Sequence, residues 1–427
     1  MAVSYKRTNI GEGIHLNEIY DPKFKSNRIK ISFVTALKKK YEEANAVLGT
    51  VLVTSNSEFR TRTEFADRLS ELYGTVLVAG ASRRGNYQKM DMVVSFIGDR
   101  YTIGREKIST EAVKQLLNCI FRPDITDGKF NEKYFRLRKQ EFIDNLKSSI
   151  NDKRSYGYMQ AESYIFEGEP CAVTAKQEIE WAKDITQEDL ITQLEYLKKS
   201  AAIEISVCGG GETQEALEMI KQEILTLERA NVEKISYRDI SPLKEELREV
   251  TEKMNVSQCK MYMAYKSDYE DIYVCKVFQC LLGCTPFSKL FSNVREKLSL
   301  CYYCTAAYRE LMGTLIIDSG VEQQNISKAR EAIEEQLSAI RAGNFTDEEL
   351  YNTKIYMCGL FKSNYDTVAD TMSWFETQNS RGTSYTPEQQ SELVMNVTRE
   401  QVIECAKTFR PDTVYILKND GEVCDNE

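Results

Sequence analysis

The chain has 427 residues, a length that points to two domains rather than one core. Lys and Arg number 56 against 65 Asp and Glu, a net charge of −9 with the signs mixed along the chain, so no nucleic-acid surface is expected. No run approaches the roughly 18 apolar residues that a membrane-spanning helix needs.

In chain order, residues 28–37 alternate polar and apolar, as a half-buried strand does. Residues 42–53 read as a helix of small and apolar residues. Across 63–72, Phe65, Leu69 and Leu72 fall on one helical face, and Gly74 suits a left-handed cap. Strands follow at 75–81 and 91–97 around a polar turn at 82–87. A helix at 110–121 takes Ser109 as its N-cap, a charged helix runs over 130–153, and Thr186 starts a helix at 186–197. Residues 202–208 form a strand.

The second half repeats that order. Residues 258–265 read as a strand, 271–282 as a buried helix and 287–298 as a helix. Strands at 302–308 and 314–319 precede helices at 327–341, 346–366 and 398–407, and 413–417 is the closing strand. Phe65 and Leu72 correspond to Phe291 and Leu298 at one constant offset, and Ile185-Thr-Gln-Glu-Asp-Leu-Ile matches Val397-Thr-Arg-Glu-Gln-Val-Ile. A repeat of this length implies two copies of one domain. The expected division is 1–226, a charged linker at 227–250 that contains Pro242, and 251–427. Each copy is expected to be α+β, an antiparallel-rich sheet with helices packed on one face, the two facing each other across a cleft.

Two stretches then carry a resemblance. Leu69-Ser-Glu-Leu-Tyr-Gly74 resembles the helix end that follows the metal motif of the pitrilysin/insulinase family, which includes the mitochondrial processing peptidase subunits. Phe291 to Tyr302 resembles that family's second-domain motif, in which an Arg and a Tyr seven positions later contact bound peptide; here they are Arg295 and Tyr302. The resemblance covers nearly the whole chain and is strongest to YfmF-type bacterial subunits. It implies two homologous α/β-sandwich domains forming a clamshell. An arginine fork can hold a peptide carbonyl or a developing oxyanion, and a tyrosine hydroxyl can donate to the same group. Family members often bind peptide as an added strand, which points to 75–81 and 302–308.

Active members carry H-x-x-E-H, whose histidines bind zinc and whose glutamate activates water. Counting back from Gly74 places that motif near Val47-Leu-Gly-Thr-Val51, where neither histidine nor glutamate stands. The family's third ligand aligns with Glu141, and one carboxylate makes no zinc site. The expectation is therefore a zinc-free, non-catalytic subunit without a cofactor of its own. A homologous partner subunit would supply zinc and base, and Arg295 and Tyr302 would bind the peptide or protein substrate. The alternative is a non-proteolytic scaffold that binds a peptide or protein in support of elongation factor P modification, a role implied by the resemblance.

Other features read more plainly. The chain has one histidine, His15, on an alternating strand-like run, so any His-based hydrolase would have to be built on it. The start, Met1-Ala-Val-Ser-Tyr-Lys-Arg-Thr, has no apolar run after its charges, so the chain is read as cytoplasmic with its 12 cysteines reduced. Cys301-Tyr-Tyr-Cys304 has no second pair at ligand spacing, and Cys280 and Cys284 read as core packing. Gly209-Gly-Gly211 lacks the Lys-Ser/Thr of a phosphate cradle and reads as a loop.

Overall fold

Alternating apolar side chains build two sheets, and the contacts of the chain divide around them. In the computed structural model, residues 3–38 and 41–419 are described. One unit comprises Met1–Lys147, Lys176–Tyr237 and Asn364–Ser384; the other comprises Ser148–Ala175, Arg238–Ser363 and Tyr385–Glu427. The passage from Tyr237 to Arg238 falls inside the expected linker. Residues 148–175 and 364–384, however, pack with the half of the chain to which they do not belong in sequence. A division by chain order cannot see this, because the packing of those segments is non-local.

In the first unit, strands β1 (Ser4–Gly11), β2 (Ile14–Tyr20), β3 (Ser26–Ala36), β4 (Val76–Arg84) and β5 (Tyr87–Ile97) precede a two-stranded sheet of β6 (Ile125–Thr126) and β7 (Lys129–Phe130). With β8 (Ala202–Gly209) the larger sheet runs β1-β2-β8-β3-β5-β4, and of its pairs only β2–β8 is parallel. Ile29, Ile31 and Phe33 of β3 and Met92 and Val94 of β5 bury one face. They share that core with Val47 of the Tyr41–Leu52 helix, Leu116 of Ile108–Phe121 and Leu190 of Gln187–Ser200. Each such side chain contributes about 1.5–3 kcal/mol by leaving water.

The alternate residues of β3 and β5 turn polar groups to the second face. There the Val368–Ser380 helix lies: Lys30 Nζ donates to Glu376 at 2.6 Å, and the Tyr5 ring stacks on Phe375 at 4.2 Å. The sheet thus carries a helix on this face as well as those expected on the other.

Local differences from expectation have local causes. β4 and β5 run on through the expected turn, which shrinks to Gly85-Asn86. Arg83 there is paired twice, donating to Glu42 and Glu178 at 2.6 Å each. Ser109 is not an N-cap; the helix starts at Ile108, and the Ser109 backbone N–H donates to Asp99 at 2.8 Å. The expected 130–153 helix is two, Glu132–Ser149 and Lys153–Ile165, separated where Asp152 caps the second. The helix is capped at Leu72, so the left-handed position after the cap falls on Tyr73, at φ +56°, one residue before the expected Gly74, which is itself at φ +71°.

The second unit contains β9 (Arg248–Lys253), β10 (Cys259–Lys266), β11 (Cys301–Arg309), β12 (Thr314–Val321) and β13 (Arg410–Lys418), in the order β11-β12-β10-β13-β9. Only β13–β9 is parallel. Strand for strand, this matches β4-β5-β3-β8-β2 of the first sheet, including the place of the parallel pair. Met261, Met263 and Tyr265 of β10 face a core with Phe278, Ile333 and Val402 from helices Ile272–Gly283, Ile326–Arg341 and Arg399–Thr408. On the opposite face lies the Lys153–Ile165 helix, where the Tyr262 hydroxyl donates to the Arg154 carbonyl at 2.7 Å. Gly157 permits that approach, since a Cβ there would stand 3.0 Å from the Tyr262 ring. Among the described residues, no helix is long and apolar enough to cross a membrane.

Candidate functional site

The stretch expected as the 287–298 helix folds as a π-helix, Leu290–Lys297. Leu298 N–H reaches back five residues to the Asn293 carbonyl at 3.1 Å. Leu290 and Val294 anchor it in the core at 0 % exposure. Arg295 stays outside: its side chain is 40 % exposed, and its Nε lies 3.6 Å from Glu296 Oε1. Its guanidinium carbon sits 4.6 Å above the centre of the Phe291 ring.

Ser299, at φ +51°, turns the chain into β11. In β11, Cys301 lies opposite Val321 and Tyr303 opposite Gly320, so Tyr302 is the extra residue of a β-bulge. The bulge projects the Tyr302 ring, which is 60 % exposed, and its hydroxyl donates to Glu322 Oε1 at 3.3 Å. Glu322 Oε2 accepts a second bond, from Gln324 Nε2 at 2.7 Å. Tyr303 takes the opposite role. Its ring is held by Arg154 at 4.1 Å and Lys260 at 5.4 Å, and burial pushes its phenol well above the ordinary value, with the nearby Asp318 charge adding to the rise.

β11 ends its sheet, as β4 ends the other. Both expected strand-addition stretches are therefore edge strands. A helix braces β11 from behind. Gln279 Nε2 donates to the Ala306 carbonyl at 2.5 Å, and a Cβ on Gly283 would stand 2.8 Å from the Ala306 nitrogen.

The residues that stand where zinc would bind do not fit the metal. Val47 and Val51 are 0 % and 3 % exposed within the first core, and the Thr50 hydroxyl donates to the Val47 carbonyl at 2.8 Å. Glu141 lies 2.7 Å from Arg138 Nη1, and Arg138 Nε also donates to Thr54 Oγ1 at 2.8 Å. The carboxylate is thus already matched by a cation of the chain itself. Among the described residues, no group of three or more His, Cys, Asp or Glu could hold a metal ion. His15 lies on β2 with its Nδ1 3.4 Å from Glu204 Oε1. Burial alone would raise the Glu204 carboxyl, but the neighbouring His15, the charge of Arg7 and the bond from Asn17 hold it below its ordinary value.

Cys280 is buried as expected, at 3 % exposure, but Cys284 is exposed, because it is the C-cap residue beyond the last helical turn. Gly209 and Gly210 serve close backbone packing: a Cβ on Gly210 would stand 2.1 Å from the Phe24 carbonyl oxygen. Sequence reasoning named Phe291 only as a repeat and motif position, not as the seat of Arg295, and did not find Glu322 or Arg138. The four-residue spacing of Phe291 and Arg295 is visible in the sequence, whereas Glu322 reaches Tyr302 only through strand register.

Residues 184–357 match the sequence profile described as peptidase M16 inactive domain. The chain is 24 % identical over 411 residues to the "Probable inactive metalloprotease YmfF" of Bacillus subtilis, covering 95 % of this chain and 96 % of that one. Its fold is similar to the crystal structure of a conserved protein from Enterococcus faecalis, with TM-score 0.89, 24 % identity, and 98 % and 99 % of the two chains covered. It is also similar to the peptidase M16 inactive domain from Pseudomonas fluorescens, with TM-score 0.78, 14 % identity and 97 % of each chain covered.

Proposed function

For this chain, a homologue of the inactive M16-family peptidases, we propose the role of zinc-free, non-catalytic subunit in a two-chain peptidase. A homologous partner supplies zinc and the glutamate base, and this chain supplies Arg295 and Tyr302. The observation that carries the reading is a contrast between the two motif regions. Core valines stand where the metal ligands would be, at 0 % and 3 % exposure, while Tyr302 projects from a bulge at 60 %. A tyrosine kept in water beside an edge strand has no packing reason to be there.

At rest, both side chains hold contacts that cost little to exchange. The Arg295–Glu296 approach at 3.6 Å and the Tyr302–Glu322 bond at 3.3 Å are solvent-exposed, and exposed pairs contribute about 0–1 kcal/mol. A peptide laid along β11 would take its main-chain bonds from the strand edge. The Arg295 fork would then hold a peptide carbonyl, and the Tyr302 hydroxyl would donate to the same group. The step that cleaves the peptide would rest on the partner. The common strand order of the two sheets supports an origin by duplication.

The test combines this chain with a family member that carries an intact H-x-x-E-H. Peptide cleavage by the mixture should exceed that by the partner alone, and the two should co-elute on gel filtration. Equal cleavage with and without this chain would sink the subunit reading. Peptide binding that persists without any gain in cleavage would favour the scaffold reading.

A further inference from the structure

Side chains of a strand alternate between its faces, so residues three apart normally point away from each other. In β11 the extra residue Tyr302 cancels that rule. Cys301 lies opposite Val321 and Cys304 opposite Ser319, two positions apart on the partner strand. Both thiols therefore turn to the buried face, at 8 % and 3 % exposure. Two strand positions span about 6.6 Å, near the upper end of the roughly 4.4–6.8 Å between Cα atoms that a disulfide accepts.

The two sulfurs are also chemically unequal. The neighbouring Cys304 lowers the Cys301 thiol below its ordinary value against the opposing effect of burial; the Arg295 charge lowers it further. The neighbouring Cys301, with burial, pushes Cys304 well up. Oxidants select an activated thiol beside a resolving thiol where solvent reaches it, and Cys301, at 8 % exposure, is the more accessible of the two. Cys275 and Cys405, 3.6 Å apart, are shielded at 0 % exposure, whereas Cys284, whose thiol is lowered to about 6 beside Cys280, is exposed at a helix end and competes for the same oxidant.

We propose that Cys301 and Cys304 are a paired-thiol oxidation site for hydrogen peroxide, placed in the bulge so that its closure displaces Tyr302. The effect on peptide rests on the reading of Tyr302 as a peptide contact. The Cys301 thiolate attacks one peroxide oxygen; an S–O bond forms, the O–O bond breaks, and hydroxide leaves. The Cys304 sulfur then displaces the sulfenic oxygen. The S–S bond closes as that oxygen takes up the Cys304 proton and leaves as water. Two thiols lose two electrons and one peroxide gains them. Closure draws the two Cα atoms inward from strand spacing, which tightens the bulge around Tyr302. A bond formed at the edge of its allowed spacing is readily reduced again by thiols.

The experiment treats the full-length chain with hydrogen peroxide, blocks remaining thiols under denaturing conditions, and maps linkages by mass spectrometry. A Cys301–Cys304 linkage that forms before any at Cys275, Cys405, Cys280 or Cys284, and that dithiothreitol reverses, is expected; a linkage or oxidation at Cys284 that comes first would overturn the site. Both thiols remaining free to alkylate would overturn the site without touching the peptide reading. In a second arm, a fluorescein-labelled casein digest is bound to the complex with its partner. Oxidation should weaken binding about fivefold, the equivalent of one hydrogen bond, and Cys304→Ser should abolish that response. If the linkage forms and binding holds while Tyr302→Phe weakens it, the coupling to Tyr302 is wrong. If Tyr302→Phe itself is silent, the peptide-contact reading fails instead, and the coupling fails with it.

Discussion

Replacing Arg295 with alanine separates a peptide-gripping arginine from an ordinary surface one. In the free chain, its guanidinium has an exposed partner in Glu296 at 3.6 Å and an aromatic seat on Phe291 at 4.6 Å. An exposed cation–π contact contributes about 0.5–1 kcal/mol and an exposed ion pair about 0–1. The Arg295→Ala chain should therefore melt within a few degrees of its parent. Against a bound peptide, on the proposed reading, the same group would make charge-assisted hydrogen bonds, whose loss costs about 1.5–3 kcal/mol. That is about a 10- to 150-fold fall in kcat/KM for the complex, at tenfold per roughly 1.4 kcal/mol. The assay is cleavage of a fluorogenic peptide by the reconstituted pair, with the melting of each variant followed in parallel. A rise in KM alone would mark a grip on the resting carbonyl; a fall in kcat would mark stabilisation of the developing oxyanion. Arg295→Lys should recover part of the loss, since lysine restores the charge but not the fork. A fall of less than about threefold with unchanged melting would refute the assignment, because no charge-assisted bond is that weak.

Three further expectations follow from the packing. The double change Val47→His and Val51→His should destabilise the first unit by several kcal/mol, through lost apolar burial and imidazoles buried without partners. Calorimetric titration should find no stoichiometric zinc; tight binding by that variant would contradict the place given to Arg138 beside Glu141. Glu43 is 2 % exposed, and burial, aided by the neighbouring Glu42 charge, pushes its carboxyl up from 4.5 to about 8. Folded chain thus holds a proton that unfolded chain releases, so its stability is full below pH 4.5 and declines as pH rises towards 8. Glu43→Gln should remove that decline, its melting advantage growing between pH 5 and pH 8; a pH-independent gap would contradict it. Gly283→Ala should cost about 1–3 kcal/mol in urea unfolding by overpacking against β11, since the new Cβ would meet the Ala306 nitrogen at 2.8 Å; unchanged unfolding would mean that the strand can move away freely.

What the sequence made legible was local, and what it hid depended on distant contacts. The strand at 28–37 was readable because Ile29, Ile31 and Phe33 alternate with polar neighbours. Those neighbours look like solvent-facing residues, yet Lys30 meets Glu376, more than three hundred positions away. Nothing in the local pattern of 364–384 says that it covers the first sheet, and the same holds for 148–175 and the second. The site divides in the same way. Arg295 and Tyr302 were found by motif, but their spacing predicts an ordinary helix followed by an ordinary strand. In an ordinary strand, Cys301 and Cys304 would point to opposite faces. The π-helix and the bulge change both outcomes: one carries Arg295 out over Phe291, and the other projects Tyr302 while turning the two thiols inward together. Each device adds backbone that its hydrogen-bond ladder does not need, and such insertions cluster where a side chain has to be re-aimed. Their occurrence in succession, on the two elements that carry Arg295 and Tyr302, is a reason to look for function at those residues that is independent of the motif itself.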